Sequence, residues 1–239
     1  MSVILQKKIS LITVLGAFLL YFTLQAFLFP FFYLLAFGTQ DYYKMGIYTI
    51  LFSSSTVFLL VYPLSLWNVS TLSFKRGLAL IGKTILFLLL LFPLSLVAAN
   101  LIFMMINLFS AVPYEVIEQE AVQQIKHLRG DPFRFWLLAV FVSTLVPIAE
   151  EILFRGLLQN WLMRYIPSFL GVVVASLIFS AFHLTTGQGV TNLPIFSSLF
   201  ILSCFLGHFY KQEKTLWAPV LLHGLFNFTT IVFIYLDFT

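Results

Sequence analysis

The sequence predicts an all-α fold: a polytopic transmembrane helical bundle of about seven spans (seven to eight), forming a single membrane domain over residues 1–239. Hydrophobic residues make up 61% of the chain and charged residues 9%, whereas soluble domains have about 45–50% and about 25%. A soluble fold has too little polar surface to cover so much apolar surface. The apolar stretches are also long and continuous, so the spans are helices rather than the short alternating strands of a barrel.

Apolar windows of about 20 residues place the spans along the chain. In order, they cover residues 10–37, 46–67, 84–109, 133–164, 168–186, 193–210 and 216–236. The first span follows Lys7 and Lys8, but its apolar run is too long for a cleaved signal peptide, so we expect it to be retained. Pro30 and Pro93 fall inside spans, where membrane helices tolerate proline.

The basic residues between the spans predict the orientation. If seven spans alternate, eight lysines and arginines fall on the side of the N-terminus and four fall on the other side. The positive-inside rule then places the N-terminus in the cytosol, and we expect a bacterial cytoplasmic membrane. The net charge of +4 is small and its lysines are scattered, so we expect no nucleic acid as a partner. Membrane lipid is an expected partner because the chain spans the membrane.

The longest polar stretch, residues 110–132, separates the third and fourth spans. Its apolar residues recur at near-helical spacing between charges: Val116, Ile117, Val122, Ile125 and Leu128. The pattern fits an amphipathic helix that lies at the membrane interface. A solvated loop with a helical turn fits it equally well.

The fourth span contains three ionisable residues deep in the apolar zone. Glu150 lies roughly 20 Å along the helix from Arg164, and Arg134, the nearest polar boundary on the other side, is about as far. A charge at that depth costs about 2.5–3.5 kcal/mol on insertion scales. Glu151 and Arg155 are four residues apart, which predicts an ion pair on one helical face. Glu150 points elsewhere and is a candidate proton acceptor; the alternative is a structural ion pair with a spare glutamate.

Polar side chains also occur in the fifth and seventh spans. His183 follows Phe179 by four residues, and His223 precedes Asn227 by four on one face. Counted from the predicted cytosolic ends, these residues and Glu150 lie roughly 14–24 Å deep. Side chains from three helices can therefore converge on one site.

Three short motifs in this order resemble the CAAX prenyl endopeptidase and bacteriocin-processing family, also called the Abi or CPBP family. They are Glu-Glu-x-x-x-Arg, Phe-x-x-x-His and His-x-x-x-Asn, all within residues 133–236, which we expect to carry the catalytic motifs. The motif residues are Glu150, Glu151, Arg155, Phe179, His183, His223 and Asn227. The N-terminal half is similar to the family only in being hydrophobic.

The resemblance implies intramembrane hydrolysis of a peptide bond by a glutamate-dependent mechanism without a cofactor. Glu150 and His183 would activate a water molecule, while His223 and Asn227 would donate hydrogen bonds to the developing oxyanion. The implied substrate is a membrane-associated peptide, either lipidated by a prenyl group or carrying a leader. Bacterial relatives in the family are linked to peptide maturation or to bacteriocin immunity.

The remaining motif residues would support the site. The resemblance implies that Glu151 and Arg155 hold its geometry and charge balance, and Phe179 is expected to support the site as well. Gly156 and Gly224 are expected to allow close approach of helices.

Three alternatives remain open at this point. Glu150, His183 and His223 supply a carboxylate and two imidazoles, a set that can bind catalytic Zn²⁺, although the His-Glu-x-x-His signature is missing. A transporter or channel also places ionisable residues in the membrane, but repeated halves are not detected. The third alternative is an immunity factor that binds a peptide without cutting it.

Overall fold

The computed structural model describes residues 9–38, 42–61, 73–110 and 120–237. Within these ranges the chain forms eight helices and no β-strand, which confirms the all-α class. In chain order they are α1 (Leu11–Phe37), α2 (Tyr42–Val61), α3 (Phe74–Phe109), α4 (Glu120–His127), α5 (Pro132–Leu162), α6 (Ser168–Ala181), α7 (Asn192–Glu213) and α8 (Trp217–Tyr235).

Each predicted span overlaps one of these helices, and residues 62–67 of the second span lie outside the described residues. In the described part of the chain, five helical segments are long and apolar enough to cross a membrane: α1, α3, α5, α8 and Gly187–Glu213, which contains α7. The predicted start of the third span at residue 84 is wrong as a helix boundary. The helix begins at Phe74, because the Ser73 hydroxyl accepts a hydrogen bond from Arg76 N (3.4 Å) and caps it. Hydropathy detects only the apolar part of such a helix.

The predicted fifth span is too long at its C-terminal end. Helix α6 ends at Ala181 instead of residue 186, and a 3₁₀ segment follows over Thr186–Thr191. The Asn192 side chain closes the connection: its Nδ2 donates to Thr185 O (2.7 Å), and its Oδ1 accepts from Thr185 N (3.1 Å). His183 therefore lies in a turn just beyond the helix rather than inside a span.

The polar stretch before α5 contains the additional helix α4, followed by a 3₁₀ turn at Leu128–Gly130. Ile125 and Leu128 pack against a cluster that includes Phe135 and Ile231. The apolar face of α4 is therefore packed on the bundle. Val116 and Ile117 lie outside the described residues.

The distribution of charge and apolar surface is inverted relative to a soluble protein. Leu89 and Leu90 on α3 are 65% and 66% exposed, whereas Glu151 and Arg155 are 0% and 1% exposed. Large exposed apolar surfaces are avoided where water is the solvent. With the length of the apolar helices, this pattern identifies an integral membrane protein.

Two helices contain π-helical segments that the periodicity did not predict. In α1 the π segment is Leu24–Leu28, directly before Pro30; in α5 it is Ile152–Gln159, directly after Glu151. A proline lacks the N–H of a regular helical hydrogen bond, and a wider turn accommodates it. The fourth span is thus not a uniform α-helix near its buried charges.

Helix α5, which carries the buried charges, is surrounded by other helices. Helix α5 packs against α2 and α8, and α7 packs against α3, α6 and α8. Helix α1 contacts the π segment of α5. Two aromatic contacts hold α1 there: Phe18 meets Phe154 edge-on, with ring centroids 5.0 Å apart, and Phe22 stacks on Phe182 at 4.6 Å.

Gly224 is a position where α8 closely approaches α5. A Cβ atom there would collide with the carbonyl oxygen of Ser143, whereas one on Gly156 would make ordinary contact with Leu216 Cδ1 at 3.5 Å. Only Gly224 therefore meets the expectation of close helix approach.

We expect Gly224→Ala to destabilise the protein by about 1–3 kcal/mol, because α8 must move away from α5. Gly156→Ala is the matched control and should leave the thermal unfolding temperature in detergent unchanged or slightly higher, since alanine is the better helix former. Equal unfolding temperatures for the two variants would contradict the tight contact.

Candidate active site

Helix α5, the turn after α6 and helix α8 bring Glu150 and two histidines to one place. The distance from His183 Nε2 to Glu150 Oε1 is 3.9 Å, and the distance from His223 Nε2 to Glu150 Oε2 is 3.7 Å. Both distances exceed a direct hydrogen bond. The structure thus brings together three of the four residues that the sequence placed in a common depth band.

The main chain determines which nitrogen of His183 carries the proton. Its Nδ1 lies 2.8 Å from Phe179 O, a carbonyl left free near the end of α6. A carbonyl only accepts, so Nδ1 donates, and in the neutral ring Nε2 is left as an acceptor. His183 therefore presents a lone pair toward the Glu150 carboxylate.

Glu151 lies at the centre of a buried polar cluster behind Glu150. Its Oε1 accepts hydrogen bonds from His223 Nδ1 (2.9 Å) and from Arg155 Nη1 (3.0 Å). Arg155 Nη2 donates to Ser203 O (3.0 Å) and to Ser203 Oγ (2.7 Å) on α7. The predicted pair of Glu151 and Arg155 is present, and His223 and Ser203 extend it across two further helices.

Phe179 contacts three of the charged or titratable residues. Its ring lies 4.9 Å from Arg155 Cζ in a cation–π arrangement. The ring centroids of His183 and His223 are 4.6 Å and 5.9 Å away. Phe179 is fully buried, so it sets the orientation of both imidazoles through its ring and its carbonyl.

Asn227 is bonded to the backbone of α5. Its Nδ2 donates to Val142 O at 3.1 Å, and because a carbonyl only accepts, this bond fixes the orientation of the amide. One N–H of Asn227 is used in this way. The second N–H and the oxygen are left for the cavity that the side chain lines.

A cavity of about 370 Å³ opens onto Glu150. Most of its wall is apolar, including Val122 and Ile125 from α4. The polar side chains in the wall are Tyr21, Gln25, Glu150, His183, His223, Asn227 and Thr230. Tyr21 and Gln25 come from α1 and were not predicted from the sequence, because single polar residues in an apolar span form no motif.

The cluster combines two carboxylates, one guanidinium and two imidazoles. With both histidines neutral, Glu150, Glu151 and Arg155 carry one net negative charge. Among the described residues, no group of three His, Cys, Asp or Glu side chains is arranged to hold a metal ion. The effect of a chelator on activity would distinguish the metal-free alternative from the zinc alternative.

The fold and this site together define a helical membrane protein with a carboxylate and two histidines facing one apolar cavity. Residues 132–229 match the family described as type II CAAX prenyl endopeptidase, Rce1-like. The match contains all the motif residues and confirms the resemblance that they predicted. Helices α1 to α4 lie outside it.

Two further comparisons add less. YpbD, an uncharacterized protein of Bacillus subtilis (strain 168), is 32% identical over 88 residues. The aligned segment is 37% of this chain and 41% of that protein, so the match spans about two fifths of the relative's length. No solved structure gives a significant match.

Proposed function

We propose that the protein is an intramembrane endopeptidase that hydrolyses a peptide bond in a membrane-associated peptide, with Glu150 as the general base. One observation carries the proposal: Glu150 faces His183 Nε2 and His223 Nε2 at 3.9 Å and 3.7 Å inside an apolar cavity. The similarity of residues 132–229 to a prenyl endopeptidase family supports the same reaction class.

The nucleophile would be a water molecule between Glu150 and His183. Two acceptors 3.9 Å apart are too far for a direct bond but suit one bridging water that donates to both. Its lone pairs then point away from both residues, toward the cavity. As the water attacks the scissile carbonyl, Glu150 takes one proton and later returns it to the leaving amine.

His223 cannot donate a hydrogen bond to the reacting carbonyl through Nε2 while its ring is neutral. Its Nδ1 donates to Glu151, so Nε2 carries a proton only in the charged ring. A charged His223 would balance the net negative charge of Glu150, Glu151 and Arg155. In that form Nε2 donates toward Glu150 and the reacting carbonyl, and the second N–H of Asn227 is available nearby.

The cavity wall favours an apolar substrate segment. It is lined by phenylalanine, leucine, isoleucine and valine on most sides, with the polar groups gathered around Glu150. A prenylated peptide or the hydrophobic part of a leader peptide buries apolar surface there, which favours binding.

We propose a bacterial cytoplasmic membrane with a cytosolic N-terminus as the location.

The first experiment is peptide cleavage by the purified protein in detergent, with and without a chelator. The probes are a farnesylated CAAX peptide, the same peptide without farnesyl, and a double-glycine leader peptide. Cleavage that survives chelation supports the metal-free mechanism. Cleavage that is lost on chelation and restored by Zn²⁺ moves the assignment to a zinc protease.

Measurements of peptide binding, protection in cells and substrate flux distinguish an enzyme from an immunity factor and from a transporter. An immunity factor would bind one of the peptides and leave it intact, and its protective effect in cells would survive Glu150→Ala. Proton-dependent flux of substrate without cleavage would instead support a transporter. Either outcome overturns the proposed hydrolysis.

A further inference from the structure

Tyr21 on α1 lines the cavity that contains Glu150 and is 5% exposed. Its phenol is close enough to the Glu150 carboxylate for the two groups to interact electrostatically. No hydrogen bond joins them in the described structure. Both residues therefore line the same cavity without bonding to each other.

The position of Tyr21 is fixed by its neighbours on α1. Its ring meets that of Phe22 edge-on, with centroids 5.4 Å apart. Phe22 stacks on Phe182, next to His183, and Phe18 packs edge-on against Phe154, one turn beyond Glu150. Helix α1 is thus held against both parts of the chain that supply the proposed base and its partner.

The phenol has one polar neighbour on α2, the fully buried Ser54. The Ser54 hydroxyl has no other hydrogen-bond partner among the described residues, and a buried hydroxyl without a partner costs free energy. A hydroxyl donates one hydrogen bond and accepts two. Ser54 can therefore donate to the phenol oxygen while the phenol O–H stays available to a ligand in the cavity.

The proposed reaction gains from a donor on the α1 side of the cavity. Glu150 and neutral His183 both present acceptors to the cavity, while the donors already assigned to the carbonyl, charged His223 and the second N–H of Asn227, both belong to α8. Hydrolysis places a negative charge on the carbonyl oxygen, which donors aimed at that position stabilise strongly when water is excluded.

We propose that Tyr21 is a further catalytic residue that donates its O–H to the scissile carbonyl oxygen; this inference rests on the proposed hydrolysis. As the water oxygen bonds to the carbonyl carbon, the C=O π pair moves onto the oxygen beside Tyr21, and a water proton moves to Glu150. On collapse the C–N bond breaks, and the nitrogen takes that proton from Glu150. The phenol keeps its own proton throughout.

The test is Tyr21→Phe, which removes only the hydroxyl. We expect kcat to fall about 10²–10³-fold, the loss typical of one oxyanion donor, with KM changed less than about twofold. Tyr33→Phe is the matched control: Tyr33 lies on the same helix, is 7% exposed, and packs against Phe37 and Tyr48 away from the cavity. This control should cleave at the rate of the unaltered protein.

The outcomes separate this inference from the proposed function. If the unaltered protein and Tyr33→Phe both cleave and Tyr21→Phe cleaves as fast, the role of Tyr21 is overturned and the hydrolysis stands. A rise in KM at constant kcat, or an activity loss that follows a lower unfolding temperature, also overturns it. Absence of cleavage by the unaltered protein overturns the hydrolysis and this inference together.

Discussion

Replacing Glu150 with glutamine is expected to lower kcat for peptide cleavage by about 10²–10⁴-fold, the contribution typical of a general base. Glutamine keeps the size of the side chain but cannot take a proton from the water between it and His183. Because Glu150 makes only long contacts to His183 and His223, its replacement should leave the fold intact. The measurement is a time course of product formation on the peptide that the unaltered protein cuts.

The matched control for this variant is Glu213→Gln. Glu213 pairs with Lys83 at 2.7 Å near the end of α7, in contact with solvent and away from the cavity. The Glu213→Gln substitution removes the same charge as Glu150→Gln, and this variant should keep full activity. Cleavage by Glu150→Gln at more than about a tenth of the unaltered rate would rule out Glu150 as the base.

Removal of the Arg155 side-chain charge is expected to have the largest effect on stability. Among the described residues, Arg155→Met leaves the fully buried Glu151 with His223 as its one partner and removes the donor to Ser203. Breaking a buried pair by removing one member costs about 3–5 kcal/mol. The measurement is the thermal unfolding temperature in detergent, which should fall well below that of the unaltered protein.

Two controls make this prediction specific to the buried pair. Lys83→Met breaks an exposed pair, in which Lys83 is 53% exposed, and should cost about 0–1 kcal/mol. The double change Glu151→Gln with Arg155→Met removes both charges and should recover part of the loss. An unfolding temperature for Arg155→Met equal to that of Lys83→Met would show that the buried pair contributes nothing.

Within one short segment, these variants distinguish a residue that acts in the reaction from residues that stabilise the fold. Glu150 and Glu151 are adjacent, but one faces the cavity at 13% side-chain exposure and the other is fully buried against Arg155 and His223. A change at Glu150 is therefore expected to affect the rate, whereas a change at the Glu151 pair is expected to affect folding.

The sequence by itself determined the solvent and the class of fold. Long apolar segments can be hidden only in a bilayer, and every backbone group there must be bonded within its own helix. The pair of Glu151 and Arg155 was also predictable, because residues four apart on a helix are neighbours whatever surrounds them. The similarity of residues 132–229 to the prenyl endopeptidase family followed from motifs of this local kind.

Only the tertiary structure decided how the helices meet. The bond from His223 to Glu151, the bond from Arg155 to Ser203 and the presence of Tyr21 in the cavity wall each join helices far apart in the chain. The end of α6 before His183 is likewise set by the bonds from Asn192 to Thr185. Hydropathy measures the preference of each segment for lipid, but it carries no information about the rotation and depth at which two helices pack, and those quantities place these side chains.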